Sequence, residues 1–213
     1  MKASPWFFVP KQLLSPRLRV FCFPFAGGSA TVFHPWGNLL PDDIEVCAIQ
    51  LPGRGMRFKE ANINRMGVLM DHLEEVMVPH LGACPYVLFG HSMGSGILYE
   101  FMQRIRNKPV NQPAHLFVSG RRAPQLANDT SFHQLSDAEL IEELTRYDGT
   151  PVEVLEHPEL MELFLPVIRA DFEMLETWLP TQAEPLNISM TVFGGEDDHR
   201  ASREMLDAWK ETT

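Results

Sequence analysis

The chain has 213 residues, 45% of them hydrophobic, which is enough for one sizeable core and a cramped fit for two. A formal charge of −10 and a pI near 5.2 argue against a phosphate-binding surface, so nucleic acid is not an expected partner. Cys22, Cys47 and Cys84 lack C-x-x-C spacing and suit reduced thiols of a cytoplasmic protein better than a disulfide framework or a metal site. The Pro-rich, basic N-terminus does not read as a secretory signal, and no apolar run has the length of a membrane span.

In chain order, "RVFCFPF" from Arg19 is the first predicted strand, and "FPFAGGSA", Phe23 to Ala30, is the glycine-bearing loop after it. A second strand is "EVCAIQL" from Glu45. "GVLMDHLEEVMVPHL" from Gly67 is helical, with Val68, Leu69, Leu73, Val76, Met77 and Leu81 on one face. The strand "YVLFG" from Tyr86 runs into the helix "MGSGILYEFMQRI", and "HLFVSG" from His115 and "ISMTVFGG" from Ile188 are further strands. These runs are apolar throughout, as strands buried on both faces of a parallel sheet are. Strand and helix alternate, so the fold class is α/β, in a single domain over residues 1–213.

Residues from about 129 to 178 break the rhythm with helices and no strand. One helix opens at "SDAE", where Ser136 and Glu139 form a capping box. A later one, "HPELMELFLPVIRADFEMLETW", carries Pro166, which is expected to kink or break it. The segment holds 13 acidic residues against Arg146 and Arg169, which reads as a solvated face. Its apolar residues still need a surface, and an insertion serving as a lid over a site supplies one.

The chemistry centres on Gly90-His91-Ser92-Met93-Gly94, the G-x-S-x-G spacing of a nucleophilic serine. Ser92 falls between a strand and a helix, where the turn is tight and the helix N-terminus favours negative charge. Its oxyanion needs two N–H donors: Met93, directly after the serine, and Ala26 in the loop after the first strand. Glu196, Asp197 and Asp198 follow the last predicted strand, and spacing alone leaves the acid open among them. His91, adjacent to the serine, points away from it and reads as a packing residue; His199 reads as a loop residue. "ASREMLDAWKETT" is predicted helical and holds no histidine, so the base expected after the acid is not present among these residues.

Six runs in order resemble the type II thioesterases that serve nonribosomal peptide and polyketide synthases: "FCFPFAGGSATVFHPW", "LPGRGMRF", "GHSMG", "LSDAELIEELTRYDGTP", "LPVIRADFEMLETW" and "FGGEDDHRASREMLDAWKETT". The resemblance implies an α/β-hydrolase fold, a mostly parallel sheet covered on both faces with a helical lid inserted before the strand that carries the acid. It implies hydrolysis of acyl thioesters on the phosphopantetheine arm of acyl or peptidyl carrier proteins, with Ser92 as nucleophile, Ala26 and Met93 as oxyanion donors and Asp198 as acid, Asp197 being the alternative. The family pattern continues past "AWKETT" into one more strand, a loop with a G-x-H-like motif and a last helix, so the sequence reads as part of a longer protein. No metal or organic cofactor is expected, and a monomer is. Arg54, Arg57 and Lys59, or Arg121 and Arg122, are the expected docking cations for an acidic carrier. The competing readings are an esterase or acyl-coenzyme A hydrolase of the same fold, and a noncatalytic protein that binds acylated carriers.

Overall fold

A computed structural model of the chain describes residues 4–128, 130–147, 157–181 and 184–213. Part of the predicted insertion, residues 129 and 148–156, lies outside them. The five predicted strands are present: β2 Leu18–Phe23, β3 Ile44–Ile49, β4 Tyr86–His91, β5 His115–Ser119 and β6 Met190–Phe193. A two-residue strand, β1 Phe7–Phe8, was not predicted; it pairs antiparallel with β3. The sheet order is β1-β3-β2-β4-β5-β6, and every pairing except that of β1 is parallel.

Strand side chains alternate between two cores because successive residues face opposite sides of the sheet. Phe21, Phe23, Cys47, Ile49, Tyr86 and Leu88 join one cluster with helices α2, Met66–Met77, and α3, Met93–Ile105. Their neighbours Val20, Cys22, Val46, Ala48 and Val87 face the other side, where Ala30, Phe33 and the short helix α1, Trp36–Leu39, cover them. Both faces are covered, which is why these strands read as continuous apolar runs.

Three helical expectations need correction. In α2, Val68 is 47% exposed, and Met66 and Met70 take its place beside Leu69, Leu73 and Met77 in the core. The register is set by which stripe fits against α3, and hydrophobicity alone did not separate Val68 from Met70. Pro166 does not break its helix: α5 runs without interruption from Pro158 to Glu176. The last predicted helix is two short pieces, α6, Arg203–Asp207, and a 3-10 turn, Ala208–Glu211, that buries Trp209.

The insertion contributes α4, Asp137–Tyr147, and α5. The capping box closes as its spacing predicts, with Glu139 accepting the Ser136 N–H at 2.9 Å and Ser136 Oγ accepting the Glu139 N–H at 3.3 Å. Leu140, Leu144, Met161, Leu165, Ile168 and Phe172 form a separate small core between the two helices. The solvated-face reading of the acids fails at two of them. Asp171 is fully buried, and the Glu176 side chain is almost so, accepting bonds from Thr130 Oγ1, the Phe132 and His133 N–H groups and His133 Nδ1. Among the described residues no helix is long and apolar enough to cross a membrane.

Candidate active site

Ser92 lies on the turn from β4 into α3 with φ 49° and ψ −111°, and is the one non-glycine residue with positive φ among those described. A side chain held in that region costs of order 1–3 kcal/mol, and such strain concentrates at functional sites. The surroundings enforce it. Ser92 N–H donates to Ser119 O at 2.7 Å, and the buried Ser95 hydroxyl donates to Gly90 O at 2.8 Å while accepting the Ser119 N–H at 3.1 Å. The motif glycines are there for room: a Cβ on Gly90 would lie 2.4 Å from Gly94 O, and one on Gly94 would lie 2.1 Å from Phe23 O. The turn thus presses α3 against β2 and exposes the serine at the C-terminal edge of the sheet.

Met93 is the first residue of α3, so its N–H is one of those a helix cannot satisfy internally. Ala26 lies in the loop that leaves β2, and that loop is held by buried polar contacts. Asp171 of α5 accepts the Gly27 N–H at 2.7 Å and forms a two-pronged pair with Arg54 at 2.6 and 2.7 Å. Gln50 accepts the Ala30 N–H at 3.1 Å and donates to Leu51 O and Arg54 O. Gly27 needs its positive φ of 76°, and a Cβ there would press on Ile168 of α5 at 2.9 Å. Asp171 and Arg54 were not singled out for this role by the sequence; they stand 117 residues apart, and only the fold joins them.

These contacts overturn the docking reading for two cations. Arg54 is 4% exposed and consumed by Asp171; Arg57, also buried, pairs with Glu60 and lies 4.1 Å from the Trp6 ring centroid. Lys59 is exposed, whereas Arg121 and Arg122 are half-buried and line a cavity.

His91 is packed, not poised toward the serine's reaction side. Its Nδ1 is 3.1 Å from Ser119 Oγ, its ring meets Phe25 edge-on at 5.9 Å, and a Cβ at Gly120 would touch its Cε1 at 2.9 Å. Burial pushes its pKa below the usual histidine value, and the negative charge of Asp198 pushes the other way. Asp198 lies in the loop that follows β6. Its Oδ1 accepts the N–H groups of Arg200 and Ala201 at 3.0 and 3.2 Å, which fixes the carboxylate just after β6. Asp197, Glu196 and His199 are exposed.

Ser92 opens into a cavity of about 330 Å³. Gly120 and Arg121 line it from the β5 side, and Phe132, Phe172, Leu175 and Trp178 from the inserted segment and its exit. The structure thus brings Ser92, the Met93 amide, the Ala26 loop and Asp198 to one end of the sheet.

A mostly parallel sheet with a strained serine turn after a central strand and an acid after a later one defines the α/β-hydrolase fold. The comparisons agree and narrow it. Residues 18–213 match the thioesterase domain family, and the chain belongs to that family. It is 38% identical over 213 residues to the gramicidin S biosynthesis protein GrsT of Aneurinibacillus migulanus, covering 100% of this chain and 83% of that protein. It is 32% identical over 204 residues to the human medium-chain S-acyl fatty acid synthase thioesterase, covering 92% of this chain and 74% of that one. Among solved structures, the type II thioesterase BorB from the borrelidin biosynthetic cluster superposes with a TM-score of 0.90 at 32% identity, covering 100% of this chain and 86% of that one. The chain is a hydrolase of thioesters.

Proposed function

We propose that this thioesterase removes aberrant or stalled acyl groups from the phosphopantetheine arms of carrier proteins in nonribosomal peptide or polyketide synthesis. The strained Ser92 elbow at the mouth of the cavity carries the reading, and the family membership gives the thioester chemistry. Ser92 Oγ attacks the thioester carbonyl as its proton passes to an imidazole base. The Ala26 and Met93 N–H groups receive the developing oxyanion, the carbon–sulfur bond breaks, and the thiol leaves with the proton. Water then attacks the acyl-serine along the same path, releasing the acid and restoring Ser92. Asp198 orients the imidazole. None of the eight histidines in residues 1–213 is assigned as that base: His91 is held by Ser119 and Phe25, and His199 stands out in solvent. The steps use side chains, backbone N–H groups and water, and call for no metal or organic cofactor.

The inserted segment acts as a lid, since Phe132 and Phe172, which pack into its small core, wall the cavity. The reading sets the protein in the cytosol as a monomer. A rate comparison between an acyl-carrier protein and a matched oxygen ester tests the substrate. Faster release from the carrier is expected, and equal or faster cleavage of the oxygen ester would contradict it.

A further inference from the structure

Trp178 lines the cavity that Ser92 opens into, and it is fastened to α3, the helix that follows Ser92. Its six-membered ring lies over Gly96, four residues and about 6 Å along the helix from the serine. A Cβ on Gly96 would stand 3.0 Å from Trp178 Cζ3, so the missing side chain makes the indole's seat. One turn further, Glu100 accepts the indole Nε1–H at 3.0 Å and the Thr181 N–H at 3.1 Å. The Tyr99 ring meets the indole at an angle at 6.5 Å, and the Arg121 guanidinium lies 5.6 Å from the ring centroid. Gly96, Tyr99 and Glu100 all belong to α3.

Leu175 and Ala123 line the cavity from the main core, while two of its aromatic walls have a different origin. Phe132 and Phe172 pack into the separate core of the inserted helices. Trp178 is thus held directly on α3, the helix that follows the nucleophile, by Gly96, Tyr99 and Glu100. From this geometry we infer that Trp178 is a specificity-determining residue: its indole is the fixed wall that limits how long an acyl chain can lie beside Ser92. The inference rests on the thioesterase reading of that site and adds the residue that selects among acyl groups.

The test is calorimetric binding of non-hydrolysable amide analogues of acyl-pantetheine, from acetyl to dodecanoyl, to the full chain. Affinity for the wild type should rise with chain length and then fall once the chain meets the indole. In Trp178→Ala that fall should move to longer chains, with the octanoyl-to-acetyl affinity ratio raised by about tenfold or more, since a single methylene against a fixed wall is worth at least that much. Trp178→Phe, a milder change that guards against loss of folding, should move it the same way by less, and Glu100→Gln should blur the cut-off by freeing the indole. An unchanged ratio in folded Trp178→Ala or in Trp178→Phe would overturn the inference. A failure of the Ser92 assignment would look different: Ser92→Ala would turn over thioester at the wild-type rate while the chain-length profile of binding stayed as described.

Discussion

Replacing Asp171 by Ala leaves Arg54, 4% exposed, in the interior without its carboxylate. The two-pronged pair at 2.6 and 2.7 Å is lost, along with the acceptor for the Gly27 N–H. The remaining acceptors of the guanidinium, Pro52 O at 3.3 Å and Gly28 O at 3.4 Å, are long and neutral. Breaking a buried pair from one side costs about 3–5 kcal/mol, because the surviving charge is uncompensated. In a domain of this size each kcal/mol moves the melting temperature by roughly 2–4 °C, so the expected loss is about 6–20 °C. The double variant Arg54→Met/Asp171→Leu removes both charges and refills the space. It should recover most of that loss, short only of the Gly27 hydrogen bond, worth about 1–3 kcal/mol if the N–H stays buried. Thermal melts of the three proteins at one pH decide the matter. A single variant within about 2 °C of the wild type, or a double variant as unstable as the single, would refute a stability role for the pair.

Gly94→Ala should destabilise, since its Cβ would meet Phe23 O at 2.1 Å, whereas Gly67→Ala, with nothing within 4 Å, should stabilise α2 by about 0.5–1 kcal/mol; paired melts check both. Burial lowers the pKa of His91 in the folded protein, so the unfolded chain binds more protons below the ordinary value of about 6.5, and His91's contribution is present above that pH and lost as the pH falls through it. His91→Phe should therefore show a shallower decline of melting temperature between about pH 7 and 5, and an unchanged slope would remove the assignment. Asp198→Asn should lower thioester turnover by orders of magnitude while Asp197→Asn changes it little, and the reverse result would move the acid to Asp197.

Much of this was open to reading because it is local. The parallel strands carry continuous apolar runs, the serine turn carries its glycines, and the capping box of α4 is a four-residue pattern. What escaped depends on contacts between distant segments. Arg54 looked like a surface cation until α5 delivered Asp171 to it, and the acid-rich insertion hid Asp171 and Glu176 among residues that do face water. The buried face of α2 is not legible at Val68 because Met66, Val68 and Met70 are all apolar, and only packing in the fold selects among them. The pairing of β1 with β3 rests on two residues, Phe7 and Phe8, too few for any periodicity to show. Among Glu196, Asp197 and Asp198, spacing shows no difference, whereas in the fold Asp198 is half-buried with its Oδ1 held by the Arg200 and Ala201 N–H groups and the other two are exposed.

The most direct measurement is intact mass, followed by peptide mapping, after mixing the protein with an acylated carrier protein. The acyl mass should appear transiently on the peptide bearing Ser92, with free acid accumulating, and both should vanish in Ser92→Ala. Release of acid by Ser92→Ala at the wild-type rate, or carrier binding with no acyl-serine at any time, would contradict the assignment of Ser92 as the nucleophile of a carrier-directed thioesterase.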